Sequence, residues 1–308
     1  MTIAQCSTKC YNLVKSLNLK AEASIEDLSF IHVFTDNFDI YVILQEIALD
    51  TMLVGSVSAN DASDEGDYIV IWKKPNNRVI DWIRFVLDLI NEEFPLFRLV
   101  GNEYEPEWIQ RTMDGVTQKQ VLLERPWDDD RARSIIECFK AERMIFIVRN
   151  PYLNGQPVEV VQTSKILIGN YDSITLGHEF PMNLDLLLIT NGKIIDMLNH
   201  NLSLKDVRIF LKSWMNGALP NLQYLSFRMN QNVNPDKLLH RIHHKEVAQG
   251  IKREKIFSCQ SDPFLSGVNG SISVNGGFDI YKFNGQQVAT VVLQNKRASC
   301  SFELIVWD

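Results

Sequence analysis

Residues 203–227, SLKDVRIFLKSWMNGALPNLQYLSF, carry two apolar rhythms in succession. Leu204, Val207, Phe210, Leu211, Trp214 and Met215 fall three and four apart, so an α-helix gathers them into one continuous stripe. Ser203 stands where it can cap that helix, and Asp206 where it can reach back, a variant of the capping box. Gly217 supplies a stop, Pro220 reinforces it, and LQYLSF (222–227) resumes as a strand. Upstream, DSITL (172–176) predicts a strand, PMNLDLLL (181–188) a short helix opened by Pro181, and KIIDML (193–198) another strand. The strand starts, near 173, 193 and 222, are spaced by roughly 20–29 residues, the leucine-rich-repeat period in which each unit is a strand plus a helix. Such units stack to bury their faces and leave a sheet face exposed. An ordinary α/β domain is the alternative to this degenerate repeat.

The rest of the chain is patterned differently. Residues 7–19 suit a short basic-faced helix through Tyr11, Leu13, Val14, Leu17 and Leu19. FDIYVILQEIAL (38–49) and DYIVIW (67–72) predict strands on either side of SANDASDEGD (58–67). That acidic loop lacks the alternate spacing and closing Glu of a calcium site and reads as a solvated hairpin tip. NRVIDWIRFVLDLINEEF (77–94) predicts a helix with Val79, Ile80, Ile83, Val86, Leu87 and Ile90 on one face. A second helix opens at Asp128–Asp130, where acids meet the positive end of the helix dipole. HRIHH (240–244) reads as a helical turn with His240, His243 and His244 on one face among Lys237, Arg241 and Lys245. Lys252, Arg253 and Lys255 prolong it as a basic surface patch. NGG (275–277) reads as a turn. The runs on either side of Asn284–Gly285 form a hairpin, and SCSFELIVWD (299–308) adds a third strand. The expected fold is therefore mixed α/β: leucine-rich-repeat-like strand–helix units followed by an antiparallel β-meander.

Composition narrows the function. Of 308 residues, 45% are hydrophobic and 22% charged, as in ordinary soluble domains. The formal net charge of −7 argues against a nucleic-acid partner, which calls for a basic face. Five scattered cysteines without a CxxC predict free thiols in a reducing compartment. The N-terminus lacks a signal-peptide core, and no run approaches the roughly 18 apolar residues of a membrane span; a cytoplasmic or nuclear protein is expected. There is no GxSxG, P-loop, GxGxxG or HExxH, and Cys138 sits in an apolar helical pattern that favours burial. The chain is thus expected not to be an enzyme, with no catalytic, cofactor-binding or metal-ligating residues.

A family resemblance rests on the stretch first described. Phe210, Leu211, Lys212, Trp214, Gly217, Leu222, Tyr224 and Leu225 resemble the signature of the nematode F-box-associated domain (type 2), found in F-box B proteins. DSITLGHEFPMNLDLLLI resembles the family's lead-in, and GGFDIYKFNGQQVATVVL with FELIVW its closing segment, although Tyr281 and Asn284 replace the usual basic residue and Asp. AQCSTKCYNLVKSLNLK is similar to the last third of an F-box, without the Pro-Leu-containing helix pair that opens one. The implied organisation is an F-box remnant (1–20), a strand and helix region (21–130) and an F-box-associated substrate-binding domain (131–308). The resemblance implies a substrate-recognition adaptor of a cullin-type ubiquitin ligase. Its partners would be a target protein and, through the F-box, the linker protein and cullin. The alternative is a stand-alone protein-interaction module without ligase contact.

Overall fold

The structure, a computed structural model, describes residues 12, 15–16, 22–26, 30–34, 38–47, 50–59, 68–73, 79–90, 96–99, 105–112, 120–123, 129–138, 144–149, 160–198, 202–257, 271–283, 285 and 287–307. The chain forms two compact units, Met1–Ala141 and Glu142–Asp308.

In the first unit, strands β1 (Glu22–Glu26), β2 (Phe30–Phe34), β3 (Phe38–Ile47), β4 (Asp50–Ala59) and β5 (Tyr68–Lys73) pair antiparallel in sequence. Beyond β1 the sheet continues in parallel with β6 (Leu96–Leu99) and β7 (Gln120–Leu123). Helix α1 (Val79–Leu89) joins β5 to β6, α2 (Pro106–Thr112) joins β6 to β7, and α3 (Asp129–Cys138) follows β7. The two predicted strands are β3 and β5, but β4 lies between them. Its run, DTMLVGSVSA, is interrupted by Gly55, Ser56 and Ser58, which masked its strand character. The β4–β5 pairing makes the predicted hairpin, whose tip, 60–67, lies outside the described residues. Helix α1 buries Ile80, Ile83, Val86 and Leu87 as expected, with Ile90 buried just past its end, and also Trp82 and Leu89, so its apolar face is broader than predicted. Of the predicted helix over 7–19, Asn12, Lys15 and Ser16 are helical and the rest lies outside the described residues; Lys15 Nζ pairs with Asp88 of α1.

The second unit contains β8 (Met144–Arg149), α4 (Val160–Leu167), β9 (Tyr171–Glu179), α5 (Leu184–Ile189), β10 (Gly192–Met197), α6 (Leu204–Met215), β11 (Tyr224–Met229) and α7 (Pro235–Leu238), then β12 (His244–Ile256), β13 (Ser271–Tyr281), β14 (Val288–Lys296) and β15 (Ser299–Trp307). The strand order is β8-β9-β10-β11-β15-β14-β13-β12. β8 to β11 run parallel; from β11 through β15 to β12 every pairing is antiparallel. The unit is thus mixed α/β and ends in the expected meander, with β12 added as a fourth strand. Parallel neighbours in sequential order need crossovers of one hand, which lays α4, α5 and α6 on the same face of the sheet.

Helix α6 follows its sequence closely. Ser203 Oγ accepts from Asp206 N (3.2 Å), and Ser203 N donates to Asp206 Oδ2 (3.0 Å). At the other end Gly217 takes φ +100°, Gly217 N donates to Trp214 O and Ala218 N to Ser213 O, the paired bonds of a Schellman stop. Val207, Phe210, Leu211, Trp214 and Met215 are buried. Helix α5 starts later than predicted: Asn183 is its cap, with Oδ1 accepting from Leu186 N at 2.9 Å, so Pro181 stands ahead of the helix and does not open it. Ahead of β9, β10 and β11 stand Asn170, Asn191 and Asn221. Asn191 Nδ2 donates to Asn170 Oδ1 (2.6 Å), and Asn221 Nδ2 to Asn191 Oδ1 (3.5 Å).

Three local readings are corrected. HRIHH is not a helical face: α7 ends at Leu238, Arg241 takes φ +59° and His244 already belongs to β12, so a four-residue helix is stopped before the histidines can share a side. Lys252, Arg253 and Lys255 are not one surface patch: successive strand residues alternate, and Arg253 is half-buried while Lys255 is 5% exposed. NGG is not a turn but a bend inside β13, with Gly276 at φ +78° and Gly277 at φ +112°. The Asn284–Gly285 hairpin forms where expected, though its loop is longer than the dipeptide: Lys282 N donates to Gln287 O (3.0 Å) and Gly285 N to Lys282 O (2.8 Å).

Trp214 is fully buried, its Nε1 has no hydrogen-bond partner among the described residues, and Lys282 Nζ lies 5.2 Å above its ring. Next to it Phe283 N donates to Met215 O (2.9 Å), so the β13–β14 loop is fastened to the end of α6. Truncating Trp214 to Ala removes a large apolar volume from this junction and is expected to cost about 3–5 kcal/mol. Urea unfolding of the variant checks this; unchanged stability would mean that the junction is not part of the core.

Candidate functional site

With its helices on one face, the second sheet presents another face that they do not cover. Register identifies its side chains, since alternate residues of each strand share a face. Ile194 of β10 aligns with Tyr224 of β11, which aligns with Ile305 of β15 and then Thr290 of β14. The next row on this face is Asp196, Ser226, Glu303 and Val292. The intervening positions, Leu225, Phe227, Met229, Phe302, Leu304 and Val306, are all buried, with the Phe227 and Phe302 rings stacked at 4.5 Å.

Part of the helix-free face is covered by the chain folding back on itself. β13 bends at Gly276 and Gly277. A Cβ on Gly277 would lie 2.8 Å from Thr290 Cγ2 and 2.9 Å from Val291 O, so both the positive φ and the close approach require glycine there. β12 follows the bend through a register shift in which residues 248–251 face Gly276 alone, and Asn275 Oδ1 accepts from Gly250 N (2.7 Å). The folded ends of β12 and β13 bring Phe257 and Val274 onto Ile194, Tyr224 and Ile305, with Ile272, Val292 and Trp307 at the margin.

Arg253 fastens this fold. Its Nη1 and Nη2 donate to Asp279 Oδ2 (3.2 Å) and Oδ1 (2.9 Å), and Nη2 also donates to Thr290 Oγ1 (2.7 Å). The guanidinium lies 4.8 Å from the centre of the Trp307 ring, whose Nε1 donates to Thr290 Oγ1 (2.7 Å). Thr290 in turn donates to Asp279 Oδ1 (2.7 Å). A two-pronged, largely buried contact of this kind fixes geometry as well as adding energy.

Where the fold-over ends, a groove of about 330 Å³ opens between β12 and β13 on one side and β14 and β15 on the other. Its polar lining includes Glu246, Gln249, Asn275, Gln294 and Glu303, and its apolar lining Val274 and Val292. Glu303 is half-buried and has no hydrogen-bond or ion-pair partner among the described residues; burial holds its carboxyl above the usual range, with only Lys296 pulling the other way through space. In the same row Asp196 is 7% exposed and accepts from Ser226 Oγ. Its pKa is pushed up to about 6, chiefly by burial and further by the charge of Glu303, against the bonds from Ser226 and from the Met197 backbone. Burial, then Glu303, also raises the Tyr224 phenol. This row is therefore over-supplied with negative charge.

The signature residues divide accordingly. Phe210, Leu211 and Trp214 lie in the α6 core, Gly217 in its stop, and Leu222 and Leu225 are buried. Tyr224 alone among them faces the covered side, its ring centre 6.0 Å from that of Phe257. Asp196 and Glu303 went unread, although each is the one acid in an apolar strand run, KIIDML and SFELIVW, and that was a legible signal. Arg253 and Asp279 left no local trace, since 26 residues separate them.

Residues 162–227 match a family model described as F-box associated. Searches among curated proteins and among solved structures give no match to the chain. The matched segment runs from within α4 to the Phe227 position of β11, so it includes α5, α6 and the strands that carry Asp196, Tyr224 and Ser226.

Two outcomes are expected. Arg253→Ala leaves Asp279 buried without its partner and should cost about 3–5 kcal/mol; Asp279→Asn in the same background should recover part of the loss in urea melts. For Asp196 the folded state holds its proton more tightly than the unfolded chain, so stability falls as pH rises from roughly 4 to 6 and is level above that, a drop of about 3 kcal/mol. Asp196→Asn should remove that slope and raise stability at neutral pH, as pH-dependent unfolding would show.

Proposed function

We propose that the chain is the substrate-recognition adaptor of a cullin-type F-box ubiquitin ligase, and that it holds target proteins on the helix-free face of its second unit. The observation that carries this reading is the F-box associated match over 162–227, which includes β10 and most of β11, two of the four strands that form that face. The face suits a protein guest: beyond the fold-over it offers half-buried polar side chains, Ser226 and Glu303, and a groove that Glu303 lines. The linked Asn170, Asn191 and Asn221 at equivalent places in successive strand–helix units favour a degenerate repeat, an architecture that lines up side chains into one binding surface. On this reading ubiquitin transfer belongs to other subunits, and no residue here is catalytic. The setting would be the cytoplasm or nucleus, where the linker protein and cullin act.

Affinity purification of the full chain from cells with the proteasome blocked tests the proposal. The expected result is co-purification of linker protein, cullin and a set of targets that accumulate when the chain is depleted. Targets without linker or cullin would instead identify a stand-alone interaction module. Recovery of neither would contradict both readings.

A further inference from the structure

The groove beside the fold-over has a charge requirement that its own residues do not meet. Its charged lining consists of Glu246 and Glu303, with the amides of Gln249, Asn275 and Gln294 between them; among the described residues no lysine or arginine lines it. Lys252, paired opposite Asn275, is exposed to solvent and does not line the groove, and three other cations nearby are likewise outside it. Arg253 is committed to Asp279 and Thr290. Lys255 is buried with its Nζ 6.0 Å from the centre of the Phe257 ring. Lys296 attracts Glu303 through space without forming an ion pair. Glu303 is thus a half-buried carboxylate with no hydrogen-bond or ion-pair partner among the described residues, one strand away from Ser226 and two from Asp196.

Leaving a carboxylate in such a place is unfavourable in the isolated chain. A cation entering the groove would relieve it, and would relieve Asp196 and Tyr224, whose titration Glu303 displaces in the same direction. The amide oxygens of Gln249 and Gln294 supply further acceptors for N–H donors, and Val274 and Val292 an apolar wall for an aliphatic stem. We propose that the groove receives a basic side chain, arginine or lysine, from an exposed segment of the protein recruited by the second unit. This rests on the adaptor reading and specifies the chemistry its targets offer.

The test uses the full chain and three blocked tripeptides, Gly-Arg-Gly, Gly-Lys-Gly and Gly-Gln-Gly, titrated while the methyl resonances of Val274 and Val292 are followed. Saturable shifts are expected with the arginine or lysine peptide and not with the glutamine peptide. Glu303→Gln should weaken the response about tenfold or more, the worth of a charge-assisted hydrogen bond, while the melting temperature stays level or rises. Glu246→Gln, at an exposed position, should weaken binding without affecting folding and serves as the second variant. Equal shifts with the glutamine peptide, no saturation, or binding indifferent to both substitutions would overturn the proposal. If Glu303→Gln still captures the same targets with linker and cullin, the groove assignment falls and the adaptor reading stands; loss of linker, cullin and targets from the unaltered chain would sink the adaptor reading itself.

Discussion

The second unit is governed by the one-sidedness of its helices. Sequential parallel strands joined by crossovers of one hand place α4, α5 and α6 on a single face, and the apolar stripe of α6 gives that face its core. Among the described residues the other face carries no helical layer, which would leave Ile194, Tyr224 and Ile305 in water. The chain resolves this with its own C-terminal strands, bent at Gly276 and Gly277 and clamped by Arg253 on Asp279. Each part of the cover needs the others: the glycines permit the bend, Phe257 and Val274 fill it, and the guanidinium holds its direction.

What remains uncovered is as informative as what is covered. Beside the fold-over runs the row Asp196, Ser226, Glu303, with Asp196 buried and the other two half-buried, and the groove that Glu303 lines is edged by acids and amides. Purely structural selection would fill such a position with apolar or neutral side chains. Retaining a carboxylate whose ionisation is opposed by burial is the pattern associated with binding and reactive sites. The same residues join the stability of the unit to its candidate function, because a partner that neutralises the row also strengthens the sheet.

Local sequence rules predicted the local structure well and the long-range structure poorly. The capping box at Ser203, the stop at Gly217, the stripe through Trp214 and the strands from 171 to 229 depend on neighbours within a turn or two, and the pattern of apolar positions carried them. The acids of the polar row were visible as interruptions of apolar runs but had no meaning until β10, β11 and β15 were seen side by side. The Arg253–Asp279–Thr290 clamp and the bend at Gly276 arise from contacts across strands; read locally, NGG resembles any turn and KREK any basic surface. The histidines at 240–244 failed for a related reason. A helical projection assumes a helix, and Arg241 in the left-handed region ends it.

The central claim is that targets lie against the helix-free face at the groove and not against the helical face. Photo-crosslinking in cells addresses it most directly, with a benzoylphenylalanine placed in the full chain either at Gln294, exposed in the groove lining, or at Lys205, exposed on α6. Covalent target adducts are expected from position 294 and none from position 205. Adducts from 205 with none from 294 would contradict it and move the binding surface to the helices.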